Sequence, residues 1–310
     1  MSRTTAAWVS MVAVMALGCG PELVASLERP IINGKACYSM ESPSAVGIIF
    51  EAEVTSKAGT RTIHALTCTG ILIAPDTVLT AAHCVNITKE LQGTVTFSKE
   101  AYHISLERDL RDLSVPDPAQ LLSGKPAKLP HDAREARTWV IHPGYSSSGW
   151  KGGLARWNDI GLIFLRRSVS SETPVTLITA SEASQIKKDT RVRIAGWGMT
   201  VASGTDKEGN PADESGGVKF CAEAKITEVG KHELRIGGDS DTSRKCHGDS
   251  GGPSYMDVSG GGNAERVVGI TSHAYNQTLD CTAGGIDTRV DAYLGWIDKE
   301  MKAACASGER

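Results

Sequence analysis

The sequence lacks any strong excess of charge of one sign. Its 33 Lys and Arg residues are nearly balanced by 36 Asp and Glu residues, which gives a formal net charge of −3. A protein that binds nucleic acid needs a basic surface to neutralise phosphates, so this balance predicts no nucleic-acid partner. The sequence also lacks internal repeats, low-complexity tracts and heptads, which are the signatures of repeat arrays and coiled coils.

Metal-binding motifs and long apolar runs are also missing. The eight cysteines form no CxxC motif and no Cys/His cluster with the spacing of zinc ligands, so we expect neither a metal nor another cofactor. Beyond the first twenty residues, no apolar run approaches the roughly 20 residues that cross a bilayer. The sequence therefore predicts a globular chain without a membrane-spanning helix.

The first residues differ in composition from the rest. Arg3 precedes the apolar run "AAWVSMVAVMAL", and the small residues "GCG" follow it. This pattern indicates a secretory signal over residues 1–19, and "ALGC" is similar to a bacterial lipobox that would be lipidated at Cys19. An ordinary cleaved signal is the alternative. In both cases the protein is exported, and it is either secreted or anchored to the cell envelope by lipid.

The body of the chain has the pattern of a β protein. Short apolar or alternating stretches are separated by polar segments rich in Gly, Pro and Ser: "AVGIIFEAEV", "TVLTAAHC", "IGLIFL", "RVRIAGWG", "AEAKITEV" and "ERVVGITS". The one convincing helix is "DAYLGWIDKEMKAA" near the end. Surface insertions are predicted at 111–135 and 199–217, and 168–185 is a candidate linker between two halves. The predicted class is all-β.

Three motifs contain residue types that suit nucleophilic catalysis. "GDSGGP" places Ser250 among glycines, where the backbone bends sharply. A serine nucleophile needs a base, and that base needs a group that orients it. "TAAHC" supplies His83 at the end of an apolar stretch, and "NDIGLI" supplies Asp159 just before another.

These motifs, in the order His, Asp, Ser, resemble the chymotrypsin/trypsin-like serine protease family, here as a bacterial-type exported member. The resemblance extends from Ile31 to about residue 300. It implies two six-stranded antiparallel β-barrels, a C-terminal α-helix and an active site between the barrels. It also implies that Ser250 is the nucleophile, His83 the general base and Asp159 its orienting group, with the N–H groups of Gly248 and Ser250 as the oxyanion hole.

The resemblance implies an activation step as well. "IING" at Ile31 is similar to the mature start of family members, whose new ammonium pairs with the aspartate before the nucleophile, here Asp249. Residues 20–30 would then be a propeptide and residues 31–310 the protease domain. Pro30 departs from the family pattern, because a basic residue usually precedes the cleavage site. The activating protease is therefore left open.

The cysteines match the family pattern in three pairs. The resemblance implies the disulfides Cys37–Cys221, Cys68–Cys84 and Cys246–Cys281. Cys19 and Cys305 remain. Either they pair with each other, or Cys19 is acylated and Cys305 is free.

Substrate selection is predicted in a pocket beside the serine. By resemblance, Arg244 occupies the floor, where trypsin-like members have aspartate, and the walls contain the residues Ser272, Ala274, Gly285 and Asp287. This arrangement predicts no preference for cleavage after Arg or Lys. Small or apolar side chains are favoured if Asp287 neutralises the basic floor, and acidic ones if Arg244 points inward unpaired. Alternatively, Arg244 faces solvent and Ser243 lines the floor.

The predicted activity is that of a serine endopeptidase that acts through an acyl-enzyme. The partners expected are protein or peptide substrates and protein protease inhibitors, and a monomer is expected. Membrane contact would come only through a lipid at Cys19. The competing interpretation is a catalytically silent binding module on the same fold. Family members of that kind usually lose a triad residue, whereas this chain keeps all three.

Overall fold

We describe the protein from a computed structural model. The structure describes residues 31, 34–37, 41–56, 59–90, 96–113, 127–148, 153–198, 216–238, 243–261, 264–276 and 281–306. The predicted signal and propeptide, residues 1–30, lie outside the described residues. So do most of the two predicted insertions.

The first half of the chain forms a closed antiparallel barrel of six strands. The strands are β2 (Ala45–Ser56), β3 (Gly59–Ala74), β4 (Thr77–Thr80), β5 (Thr96–Ser105), β6 (Arg134–Ile141) and β7 (Gly161–Leu165). Every residue of β4 and β7 is buried, which explains why neither sequence alternates between apolar and charged residues. The β2 strand is long because it pairs on both sides, with β3 and with β5.

The second half forms the second six-stranded barrel. Its strands are β8 (Arg191–Gly196), β9 (Phe220–Val229), β10 (Glu233–Ile236), β11 (Pro253–Asp257), β12 (Glu265–Ala274) and β13 (Gly285–Arg289). The pairing of β8 with β9 closes the ring. A short additional strand, β1 (Lys35–Ala36), pairs with β9, and the Cys37–Cys221 disulfide lies beside it.

Helices are few among the described residues. A single turn, α1 (Ile87–Glu90), follows the 3-10 turn His83–Val85, and α2 (Leu294–Ala306) ends the described chain. On α2, Ile297 is buried, so this helix packs an apolar residue against the barrels. The prediction of an all-β protein with two six-stranded barrels and a C-terminal helix is confirmed.

Two local predictions need correction. The stretch "TVLTAAHC" is a strand only as far as Thr80, and the chain then turns at His83–Val85. The predicted insertion 111–135 ends too late, because Arg134 and Glu135 already belong to β6. Segment 168–185 does link the barrels, since it lies between β7 and β8. Within the described residues, no helix is long and apolar enough to cross a membrane.

Candidate active site

His83 and Asp159, two residues of the predicted site, contact each other directly. Oδ2 of Asp159 lies 2.8 Å from Nδ1 of the His83 ring. Oδ1 of the same carboxylate accepts the His83 backbone N–H at 3.0 Å. Because Nδ1 faces a carboxylate, Nδ1 carries the proton and Nε2 is left as the basic nitrogen. The turn after β4 gives the imidazole its position, and the Cys68–Cys84 disulfide ties that turn to β3.

Asp159 is fully buried and receives hydrogen bonds from the second barrel as well. Ser272 on β12 donates to Oδ2 at 2.6 Å, and Thr288 on β13 donates to the Asp159 carbonyl at 2.9 Å. Burial by itself would raise the pKa of Asp159. The charge and hydrogen bonds of His83, with the hydroxyl of Ser272, outweigh burial and hold that pKa below its usual value.

The segment before Asp159 is held by side chains from outside the first barrel. Glu233, at the start of β10, is buried and accepts the backbone N–H groups of Ala155 and Trp157, the second at 3.0 Å. Asn158 adopts a left-handed conformation with φ of 56°. Its side chain stabilises that conformation by donating to the Gly144 carbonyl at 2.9 Å.

The loop that carries Ser250 is bent at two glycines with positive φ, Gly248 at 92° and Gly251 at 77°. A Cβ on Gly251 would lie 2.1 Å from Thr80 Oγ1, so a larger residue does not fit there. The Ser250 carbonyl accepts the Thr69 N–H at 2.8 Å, which joins this loop to the first barrel. Ser250 and Ser272 line the same cavity, so the structure places Ser250 on the same side of the molecule as Asp159 and His83.

Asp249 points into the protein interior. It is fully buried and accepts the N–H groups of Gly198 and Cys246, both at 2.9 Å. Gly198 leaves room for it, because a Cβ there would lie 2.5 Å from the Asp249 Cγ. Burial raises the pKa of Asp249 to about 6, although both N–H groups oppose this shift. Ile31 is also fully buried.

The cavity beside Ser250 has a volume of about 180 Å³. Drug-sized ligands fill pockets of roughly 300–1,000 Å³, so this cavity has room for a single side chain. The residues around it, in chain order, are Lys245, Cys246, His247, Ser250, Thr271, Ser272, His273, Ala274, Cys281, Gly284 and Gly285. Three of the residues predicted for the pocket therefore border it: Ser272, Ala274 and Gly285.

Arg244 and Asp287, both predicted to line the pocket, do not border the cavity, and neither does Ser243. Lys245, the next residue in the chain, borders the cavity where Arg244 was predicted to lie. Arg244 lies against Gly237 instead, with its Cγ 3.4 Å from where a Cβ on that glycine would be. The physical reason is that successive side chains of an extended segment point in opposite directions, so a shift of one residue exchanges which one reaches the pocket.

Sequence reasoning did not identify Glu233 as a site residue, and it assigned Ser272 to the pocket only. No local motif marks Glu233, since its partners are backbone groups more than 70 positions earlier in the chain. Lys245 was recognised as a second positive charge beside Arg244, but the floor of the pocket was assigned to Arg244.

The disulfides of the described residues are the three predicted pairs: Cys37–Cys221, Cys68–Cys84 and Cys246–Cys281. Two groups of side chains among the described residues bring Cys and His atoms together, Cys68 with His83 and Cys84, and Cys246 with His247 and Cys281. Metal binding needs thiolates, and these cysteines are oxidised to disulfides. Neither group is therefore a metal site.

Comparison with known proteins gives consistent similarities. The family model described as trypsin matches residues 31–297. Proproteinase E of Bos taurus is 28% identical over 76% of this chain and 83% of its own length. Chymotrypsin-like elastase family member 3B of Homo sapiens is 28% identical over 94% of this chain and 96% of its own length. Neuropsin, a serine protease expressed in the limbic system of mouse brain, covers 87% of this chain and 100% of its own, with a TM-score of 0.56 and 22% identity.

Proposed function

The chain belongs to the trypsin family of serine proteases and is a serine endopeptidase, and from this premise we propose that Ser250, His83 and Asp159 are its catalytic triad. One observation carries the proposal: the buried Asp159 carboxylate contacts the His83 ring at Nδ1 and also accepts the His83 N–H. This geometry leaves Nε2 of His83 as the basic nitrogen, which the proposal assigns to the Ser250 hydroxyl.

The proposed reaction has two halves. Ser250 Oγ attacks the scissile carbonyl carbon while His83 Nε2 takes the hydroxyl proton, and the N–H groups of Gly248 and Ser250 stabilise the oxyanion. The C–N bond then breaks, the leaving amine takes the proton from His83, and an acyl-enzyme remains. Water attacks that ester in the same manner, which releases the acid and restores Ser250. Asp159 stabilises the imidazolium in both halves.

A fluorophosphonate probe tests the assignment, because it modifies only an activated serine. We expect wild type to be labelled and to cleave a casein substrate. Ser250→Ala should not be labelled, and its rate of casein cleavage should fall by several orders of magnitude. Ser259→Ala, on an exposed loop, is the matched control and should behave as wild type. A silent binding module would leave wild type unlabelled. Persistent turnover in Ser250→Ala would contradict the assignment of the nucleophile.

Activation by cleavage before Ile31 is the second part of the proposal. Asp249 is buried with neutral N–H donors as its hydrogen-bonding partners, and a new ammonium at Ile31 would supply the opposite charge. Cleavage would thereby fix the loop of Gly248 and Ser250. N-terminal sequencing of the active protein decides the matter: a start at Ile31 is expected, and full activity with residues 26–30 still attached would contradict it.

Export through the N-terminal segment completes the proposal. The three disulfides of the described residues are typical of a protein that folds in an oxidising compartment. A mature protein that begins at Cys19 and carries the mass of a diacylglycerol on that residue would support a lipid-anchored, bacterial-type protein. An unmodified N-terminus at another residue would remove the anchor from the proposal.

A further inference from the structure

We propose that the cavity beside Ser250 selects uncharged side chains because Lys245, the cation at its border, is neutralised beneath it by a built-in partner, Asp287. The inference rests on the proposed function, since it names the class of substrate that the same site would accept. It differs from the sequence-based prediction in the residues that carry it. Arg244 plays no part, and Asp287 acts from below the cavity rather than on its wall.

The Lys245 ammonium has a complete set of acceptors inside the protein. Its Nζ lies 2.8 and 3.1 Å from the two carboxylate oxygens of Asp287 and 2.9 Å from Ser254 Oγ. An ammonium has three N–H donors, so these three contacts use all of them. The Lys245 side chain is 1% exposed and that of Asp287 is 0% exposed. The charged atoms therefore do not face the cavity, although Lys245 borders it.

The fold provides a dedicated space for this pair. Asp287 lies in β13, between β10 and β12, and Ser254 lies in β11, on the other side of β12. Ser254 also donates to Asp287 at 2.7 Å, so the carboxylate is held from two sides. A Cβ on Gly269 of β12 would lie 2.6 Å from Asp287 Oδ2, so the absence of a side chain there is what makes room. A pair of charges built in this way is a fixed part of the barrel.

The consequences for binding follow from charge compensation. An acidic side chain in the cavity would need the ammonium of Lys245, which would have to leave Asp287 unpaired in the interior. A basic side chain would need a carboxylate, and among the described residues that border the cavity none is acidic. An uncharged side chain meets the Cys246–Cys281 disulfide, Ala274 and the open wall at Gly285, where a Cβ would contact only the His273 carbonyl, at 3.7 Å.

Small aromatic probes of equal size test the charge preference without catalysis. The binding of p-cresol, benzamidine and benzoate to Ser250→Ala is measured by NMR titration, with the amide signals of Ala274 and Gly285 as reporters of the cavity. We expect p-cresol to bind at least 10-fold more tightly than either charged probe. Equal or tighter binding of benzamidine or benzoate, or no binding of p-cresol, overturns the proposal.

Two variants in the same background test the pair itself. Asp287→Asn leaves the Lys245 charge uncompensated, and benzoate should gain at least 10-fold in affinity, while the surface control Asp298→Asn changes nothing. Unchanged benzoate affinity in a folded Asp287→Asn protein overturns the proposal. If that variant does not fold, the double variant Lys245→Met/Asp287→Leu decides. It removes both charges and should keep the order of affinities, whereas a changed order overturns the proposal.

Failure of the proposed function gives a different result. Absence of fluorophosphonate labelling in wild type would overturn the triad. The affinities of p-cresol, benzamidine and benzoate for the cavity would still test the charge preference. With active wild type, a peptide library should show uncharged residues before the scissile bond. A dominant signal for Arg, Lys, Asp or Glu at that position would overturn the charge preference and leave the triad assignment standing.

Discussion

At the scale of single residues, Asp159 joins the two barrels. Its carboxylate binds His83 of the first barrel and the Ser272 hydroxyl of the second. Hydrogen bonds to the charged form stabilise a carboxylate and lower its pKa. Ser272, which borders the cavity, therefore also lowers the pKa of Asp159, the residue proposed to orient the base.

The variant Ser272→Ala removes that donor. The coupled His83–Asp159 pair should then take up a proton at higher pH, because the ionised carboxylate has lost a stabilising bond. A hydrogen bond to a charged group is worth roughly 1.5 kcal/mol, so the acid limb of kcat/KM should move up by about one pH unit. The pH–rate profile measures this, with Ser259→Ala as control. A profile that stays in place would show that Ser272 does not act on Asp159.

At the scale of elements, strands of the second barrel hold the segment that leads to Asp159. Glu233 on β10 and Thr288 on β13 are directly opposite each other in the ladder. The first accepts the N–H groups of Ala155 and Trp157, and the second donates to the Asp159 carbonyl. This pair of strands therefore holds Asp159, the aspartate of the proposed triad, from the side of the second barrel.

We expect Glu233→Gln to reduce kcat with little change in KM. The amide cannot accept both N–H groups as the carboxylate does, so the segment shifts, and a displacement near 1 Å can cost about 100-fold in rate. Steady-state kinetics on a peptide substrate give the split between kcat and KM. Glu223→Gln, at an exposed ion pair on β9, is the matched control. Equal kinetics for the two variants would contradict the role of Glu233.

The disulfides should differ in what they support. Cys246 and Cys281 border the cavity, and the Cys246 N–H binds Asp249, whereas Cys37–Cys221 ties β1 to β9. Replacing either pair with alanine should cost about 3–5 kcal/mol of unfolding free energy. Only loss of Cys246–Cys281 should also lower kcat/KM, on the order of 100-fold, through a misplaced cavity wall. Denaturant titration and kinetics of both double variants test this, and equal effects on activity would contradict it.

At the scale of the whole molecule, the buried Asp249 makes stability depend on pH. Its folded pKa of about 6 lies above the ordinary 3.8, so folding favours the protonated form. The unfolded chain therefore loses this proton at lower pH than the folded chain, and stability falls as pH rises from about 4 to 6. A shift of this size corresponds to roughly 3 kcal/mol at neutral pH. An ammonium at Ile31 would remove that cost.

We therefore expect the uncleaved chain to be less stable than the cleaved one at pH 7. The difference should shrink near pH 4, where Asp249 of the uncleaved chain is protonated and no longer buries an uncompensated charge. Calorimetric Tm values of the two forms at both pH values measure this. A difference that does not depend on pH would show that Asp249 and the new N-terminus are not coupled.

Much of the fold was predictable, because barrel strands are short apolar stretches with turns between them. The end of β4 was not, since no glycine, proline or charged residue marks it within "TVLTAAHC", and the strand gives way to the turn at His83–Val85. In the site, the motifs around His83, Asp159 and Ser250 predicted a triad, and that assignment stays a prediction. Glu233 could not be predicted, because a carboxylate that binds distant backbone N–H groups leaves no local pattern.

The sequence by itself determined the family, through the three short motifs that contain His83, Asp159 and Ser250. The resemblance to that family implied which cysteines pair, and the three disulfides of the described residues are those pairs. Only the tertiary structure decided that Lys245 rather than Arg244 borders the cavity, and that Asp287 lies beneath it. The reason is that the direction of a side chain depends on how the strands of a closed barrel register against one another, and a shift of one residue reverses it.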